Sequence, residues 1–98
     1  KRGTGEFTAA LDELTDMVSL SRDNVSEQLN REALTECIED FLRGESASAR
    51  RYFIRRYFYT ESIAEIAERF HAGESAVKVS LHRTRKALRE VLEKEGFL

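Results

Sequence analysis

Proline is absent from this chain, cysteine occurs once and glycine only five times in 98 residues. Without proline, no helix here is opened or broken by a ring-locked φ. A single cysteine, Cys37, cannot form an internal disulfide; beside Ile38 on an apolar helix face it reads as a buried thiol rather than a ligand or nucleophile. There is no glycine-rich loop to cradle a phosphate, no nucleophile–base set and no metal-ligand spacing, so neither an enzyme nor a cofactor or metal is expected. No run approaches the ~20 apolar residues of a membrane span and no signal-peptide pattern is present, so a cytoplasmic protein is expected. The chain begins with lysine rather than methionine, which suggests a trimmed piece of a longer protein.

What the chain does have is charge, at 35% of residues, unevenly spread. Residues 1–49 carry 5 Lys/Arg against 11 Asp/Glu, a net of −6; residues 50–98 carry 11 against 7, a net of +4. The overall −2 hides a basic C-terminal half, the footprint expected for contact with phosphates. The excess is modest, so this piece alone should bind nucleic acid weakly.

The most informative stretch runs from Ile63 to Arg89. Ile63, Ile66, Ala67 and Phe70 fall at i, i+3, i+4 and i+7, one apolar helical stripe. The stripe stops at His71-Ala72-Gly73-Glu74, and a second continues through Val77, Leu81, Leu88, Val91 and Leu92. Two short-linked amphipathic helices must bury these stripes on each other or on a third helix, and a short turn containing glycine fits a helix-turn-helix. At about 100° per residue, Val77, Leu81, Thr84 and Leu88 point to one side of the second helix. Lys78, Val79, His82 and Arg83 point to the other and form a candidate base-reading set for a helix entering the major groove. Arg and Lys pair with guanine O6 and N7, and valine meets a thymine methyl. Ser62 at the start of the first helix, with Ser75, Arg85 and Lys86, are the candidate phosphate contacts. The bland alternative is a solvated charged face, which leaves the apolar Val79 unexplained.

The rest of the chain reads as further helix. Residues 1–23 form a tail or linker, in which Leu11, Leu14 and Val18 suggest a turn or two of helix or a loop pinned by its leucines. An amphipathic helix is predicted from about Val25 to Leu42, with Leu29, Ala33, Leu34, Cys37, Ile38, Phe41 and Leu42 on its apolar face and an acidic remainder. Gly44 is a plausible stop. Ser46 can cap a helix over roughly Ala47 to Phe58, whose Phe53, Tyr57 and Phe58 are assigned to the core. Arg50, Arg51, Arg55 and Arg56 are left for phosphates or for the acidic helix. Thr60 or Ser62 caps the next helix, at whose start Glu61, Glu65 and Glu68 would repel a close phosphate. The last helix runs to about Lys94 and ends at Gly96. The fold expected is all-α, about four helices with a C-terminal helix-turn-helix over residues 24–98.

The string FIRRYFYTESIAEIAERFHAGESAVKVSLHRTRKALREVLEKEGF resembles region 4 of a bacterial RNA polymerase sigma factor of the sigma-seventy class, and more narrowly its extracytoplasmic-function type. The resemblance runs from about Leu34 to the C-terminus and is strongest in SIAEIAERF and SAVKVSLHRTRKALR. It implies a helix-turn-helix of winged-helix-like or sigma region 4 type, preceded by the linker from region 2. It further implies recognition of the minus-thirty-five promoter element, docking on RNA polymerase core through the flap of the beta subunit, and an anti-sigma factor as an optional partner. Two places depart from the family pattern. Glu45-Ser46-Ala47 stands where relatives have Leu-Pro, which leaves that helix start less sharply set. His71 stands where they have glycine, and a left-handed backbone there carries a cost. The competing readings are an ordinary helix-turn-helix regulator, which would bind a two-fold site as a dimer, and a helical module whose basic face meets an acidic protein.

Overall fold

The computed structural model describes Glu13 and residues 27–97, with side chains from residue 32 onward besides that of Glu13. Among the described residues from 27 onward four helices follow one another: α1 (Glu27–Arg43), α2 (Ala47–Tyr57), α3 (Ile63–Phe70) and α4 (Glu74–Lys94). No strand occurs among the described residues, so the fold there is all-α and the helix-turn-helix carries no wing. Glu13 is itself helical, while Leu11, Leu14 and Val18 lie outside the described residues.

Each helix is bounded by local chemistry. At the start of α2 the Ser46 hydroxyl accepts from the Ala49 amide at 3.2 Å. The guanidinium of Arg50 reaches back to the carbonyls of Leu42 and Glu45, both at 3.1 Å, and so closes the C-terminal end of α1 with a cation. Arg50 is thus spent on a helix end, not on a phosphate. Gly44 does follow the last residue of α1, but without the positive φ of a left-handed stop.

Helix α3 opens with a reciprocal capping box. The Ser62 hydroxyl accepts from the Glu65 amide at 3.0 Å, and the Ser62 amide donates to the Glu65 carboxylate at 2.8 Å. Ser62 is therefore the cap; Thr60, the other candidate, sits at φ 51° in the connection. The end of α3 is a Schellman turn built on His71 at φ 56°, ψ 46°. The Ala72 amide bonds to the Ala67 carbonyl at 2.8 Å and the His71 amide to that of Glu68 at 3.4 Å. Gly73 has ordinary extended geometry at φ −78° and caps α4 without a side-chain bond. The left-handed position thus falls on histidine, while glycine serves one residue past the corner as a bare cap. A second turn of the same kind ends α4. Gly96 takes φ 88°, and the Phe97 amide returns to the Leu92 carbonyl at 2.8 Å, bringing its ring onto the core.

Helix α4 is the spine and packs against each of the other three. Its Val77, Leu81, Leu88 and Leu92 are buried, joined by Leu42 from α1, Phe53 from α2, and Ile66 and Ala67 from α3. Truncation of a leucine so placed, such as Leu88→Ala, costs about 2–5 kcal/mol. Tilted aromatic pairs thicken the same core: Phe53 with Tyr57 at 4.7 Å and Tyr52 with Phe70 at 5.7 Å between ring centres. Phe58 does not join them and is 62% exposed. Five residues after the buried Phe53, it points about 140° away around the helix. Ala33, also expected on the apolar face of α1, is exposed.

Two non-glycine residues in the left-handed region mark where the backbone is held against its preference. His71→Gly is expected to raise stability by about 0.5–1 kcal/mol, and Thr60→Gly by at least as much because β-branching is the worse fit there. Urea unfolding of the two variants checks this; a lower midpoint for either means that side-chain contacts outweigh the backbone cost.

Candidate nucleic-acid interface

The face of α4 opposite its core stripe is open. Val77, Leu81, Thr84 and Leu88 are buried, and the 3.6-residue period turns Ser75, Lys78, Val79, His82, Arg83 and Lys86 outward, where all six are exposed. The four base-reading candidates therefore share one surface, with Ser75 and Lys86 beside them. Val79 is 47% exposed, an apolar side chain with cations on either side and no core to join. Thr84 points inward as its position required, its hydroxyl donating to the Ser80 carbonyl at 2.9 Å. The start of α2 runs alongside this face. Ser46 and Ala49 share a shallow groove with Ser75, Ala76, Val79 and Arg83. Ala76 is exposed on this surface and was not singled out from the sequence, because a small apolar residue near a helix start carries no signal of its own.

The other phosphate candidates are placed differently. The Ser62 hydroxyl is occupied by the Glu65 amide in the capping box. Glu61, expected to repel phosphates, is only 4% exposed. Its carboxylate accepts from both the Nε and a terminal nitrogen of Arg69, and lies 3.5 Å from Arg55. That charge is screened by two guanidiniums rather than facing solvent. Arg55 also lies 4.4 Å over the ring of Tyr59.

Arg56 and Arg85 turn inward. Arg56, 3% exposed, donates to the Glu61 carbonyl at 2.8 Å and to both carboxylate oxygens of Glu13, at 3.3 and 3.0 Å. The Tyr57 hydroxyl donates to Glu13 at 2.7 Å and accepts from Arg85 at 2.7 Å. Arg85 lies 3.5 Å from the same Glu13 carboxylate. Arg85, expected on a phosphate, is therefore engaged within the chain, because its place on α4 faces the end of α2 rather than the open side. Nothing in the local sequence pairs Glu13 with residues more than forty positions away, so this network was not legible beforehand.

Burial raises the pKa of the Glu13 carboxyl, but hydrogen bonds from Arg56 and Tyr57 and the charges of Arg56 and Arg85 outweigh it, leaving the carboxyl below its usual range. Burial first, and then the bond to Glu13, push the Tyr57 phenol well above its ordinary value. At the far end of α4, Cys37 lies half-buried in a groove with Phe41, Val91 and Phe97, rimmed by Glu36, Asp40 and Glu95. Desolvation and the charges of Glu95 and Asp40 raise its thiol pKa, keeping it protonated. Among the described residues no group of three His, Cys, Asp or Glu side chains could hold a metal ion, and no helix is long and apolar enough to cross a membrane.

A carboxyl with a lowered folded-state pKa stabilises the fold fully above its unfolded value, and that contribution fades as pH falls through the folded value. The stability difference between the wild-type chain and Glu13→Gln should therefore be constant above pH 4.5 and shrink below it. Chemical unfolding across an acid pH series measures this; a difference that persists unchanged in acid means that Glu13 is not held as a carboxylate.

Comparison with curated proteins and with solved structures gives no match. A family model does match: residues 46–88 fit that of Sigma-70, region 4, a span from the cap of α2 through the fourth turn of α4. It contains α2, α3, the turn and α4 as far as Leu88, with Ser75, Lys78, Val79, His82, Arg83 and Lys86 of the open face, and leaves α1, the end of α4 and the N-terminal residues outside. That family is a non-enzymatic DNA-binding module of transcription factors of the sigma class, which is what an open basic face on a packed helix-turn-helix suits. Residues 46–88 of this chain are a sigma-70-class region 4 DNA-binding domain.

Proposed function

We propose that this domain recognises the upstream, minus-thirty-five promoter element and holds RNA polymerase core, within a cytoplasmic sigma factor of the extracytoplasmic-function type. Residues 24–98 serve as region 4, and residues 1–23 as the linker leading into it. The observation that carries the reading is the open α4 face, where Val79 stands exposed among Lys78, His82, Arg83 and Lys86. An α4 that enters the major groove by its N-terminal turns offers Lys78, Val79, His82 and Arg83 to base edges. Ser75 and Lys86 then lie toward the strands and fix register.

Docking on polymerase requires a second surface that stays clear of the duplex. The groove of Cys37, Phe41, Val91 and Phe97 supports that role, because it lies toward the opposite end of α4 from the reading turns and combines an apolar floor with a polar rim. The flap of the beta subunit is its proposed occupant, and an anti-sigma factor acting on this domain would compete for one surface or the other. The open face of α4 carries few cations, so the isolated domain binds DNA weakly and gains selectivity when polymerase holds it in place.

Selection of preferred duplexes in the presence of core polymerase tests the proposal. A one-sided, non-palindromic footprint is expected; a symmetric one would point to an ordinary dimeric regulator. Arg83→Ala should cost about 1–3 kcal/mol in specific binding and relax preference at one base pair. Equal losses on selected and scrambled duplexes would make Arg83 a phosphate contact instead. Lys86→Ala should weaken both duplexes alike and lower the salt slope by roughly one unit.

A further inference from the structure

We propose that Arg56, Tyr57 and Arg85 form a carboxylate socket in which Glu13 takes the place of a DNA phosphate, so that the chain's own N-terminal segment holds Arg85 back from the duplex. The inference rests on the reading of α4 given above. The socket is built rather than incidental. Arg56 is buried and fixed from behind by the Glu61 carbonyl at 2.8 Å, so its fork keeps one orientation. It presents two nitrogens to the two oxygens of Glu13, and the Tyr57 hydroxyl adds a third bond at 2.7 Å. A guanidinium fork of this kind accepts carboxylate and phosphate by the same geometry.

The two arginines differ in how firmly they are held. The Arg56 side chain is 4% exposed and Arg85 22%; Arg85 reaches Glu13 only at 3.5 Å and through the Tyr57 hydroxyl. Arg85 follows His82 by one helical turn and Lys78 by two, so it lies on the flank of the cationic face. When Glu13 is in place, Arg85 has an anionic partner inside the chain. When Glu13 is gone, Arg85 keeps only a neutral phenol and can swing to the strand that Lys86 approaches. One carboxylate thus subtracts one cation from the DNA-facing surface, and the subtraction is reversible because the Glu13 side chain remains 31% exposed.

The test is fluorescence anisotropy of the full chain on a labelled duplex of arbitrary sequence, read between about 50 and 200 mM salt. Glu13→Gln is expected to bind on the order of threefold more tightly, with a salt slope steeper by ~0.9, the contribution of one added phosphate contact. Adding Arg85→Ala to that variant should restore the wild-type slope. Glu39→Gln, which removes the same charge from the exposed surface of α1, should leave the slope unchanged. Tyr57→Phe, which keeps the ring and the charges but removes both phenol hydrogen bonds, should shift binding in the same direction by less; it serves if Glu13→Gln unfolds in parallel melts. Equal affinity and slope for wild type and Glu13→Gln, or a gain that survives Arg85→Ala, overturns the socket while leaving the DNA-binding reading intact. Failure of both proteins to bind at low salt removes that reading and the socket with it.

Discussion

Everything in this molecule depends on one helix being used from two sides. Val77, Leu81, Leu88 and Leu92 of α4 are almost completely buried, and each of the other three helices presses on that one stripe. Burial of such side chains contributes about 1.5–3 kcal/mol each, so the orientation of α4 about its own axis is strongly fixed. Rotation by one residue would expose leucine and bury lysine. Once the inner stripe is fixed, so is the outer face, and Lys78, Val79, His82 and Arg83 stand together without any contact among themselves being required. Because those outer side chains carry little of the fold's stability, their chemistry is free to serve recognition.

The basic half of the chain is less available to DNA than its charge suggests. Arg50 closes the end of α1, Arg55 and Arg69 surround Glu61, and Arg56 and Arg85 hold Glu13. Five guanidiniums are thereby tied to buried or half-buried acceptors within the chain, although Arg69 itself stays exposed. A guanidinium suits this better than an ammonium because its planar fork satisfies two acceptors at once and is more weakly hydrated. What remains exposed on the outer face of α4 is a short cationic set of Lys78, Arg83 and Lys86.

The corner between α3 and α4 shows how tightly that geometry is held. His71 adopts the left-handed conformation that glycine takes without cost, and two backbone bonds close the turn around it. The Schellman turn sets the direction in which the chain leaves α3, and the apolar contacts of Ala67 and Ala72 with the core complete it. The backbone cost at His71 is borne by the surrounding packing rather than by a favourable residue choice.

Periodicity alone determined a good deal. The spacing of Ile63, Ile66, Ala67 and Phe70, and of Val77, Leu81 and Leu88, was enough to place two helices, their core faces and the exposed cluster opposite. A 3.6-residue period leaves no other side for those residues to occupy. The left-handed position at His71 was legible only through the family resemblance, because relatives carry glycine where this chain has histidine. Arrangements set by contacts distant in sequence were not legible. Phe58 looked like core until the end of α2 left it pointing away, and Arg56 and Arg85 looked like surface cations until packing brought Glu13 to them. A helical pattern reports which face of a segment is buried, but ion pairs depend on which segments meet, and only the tertiary structure decided that.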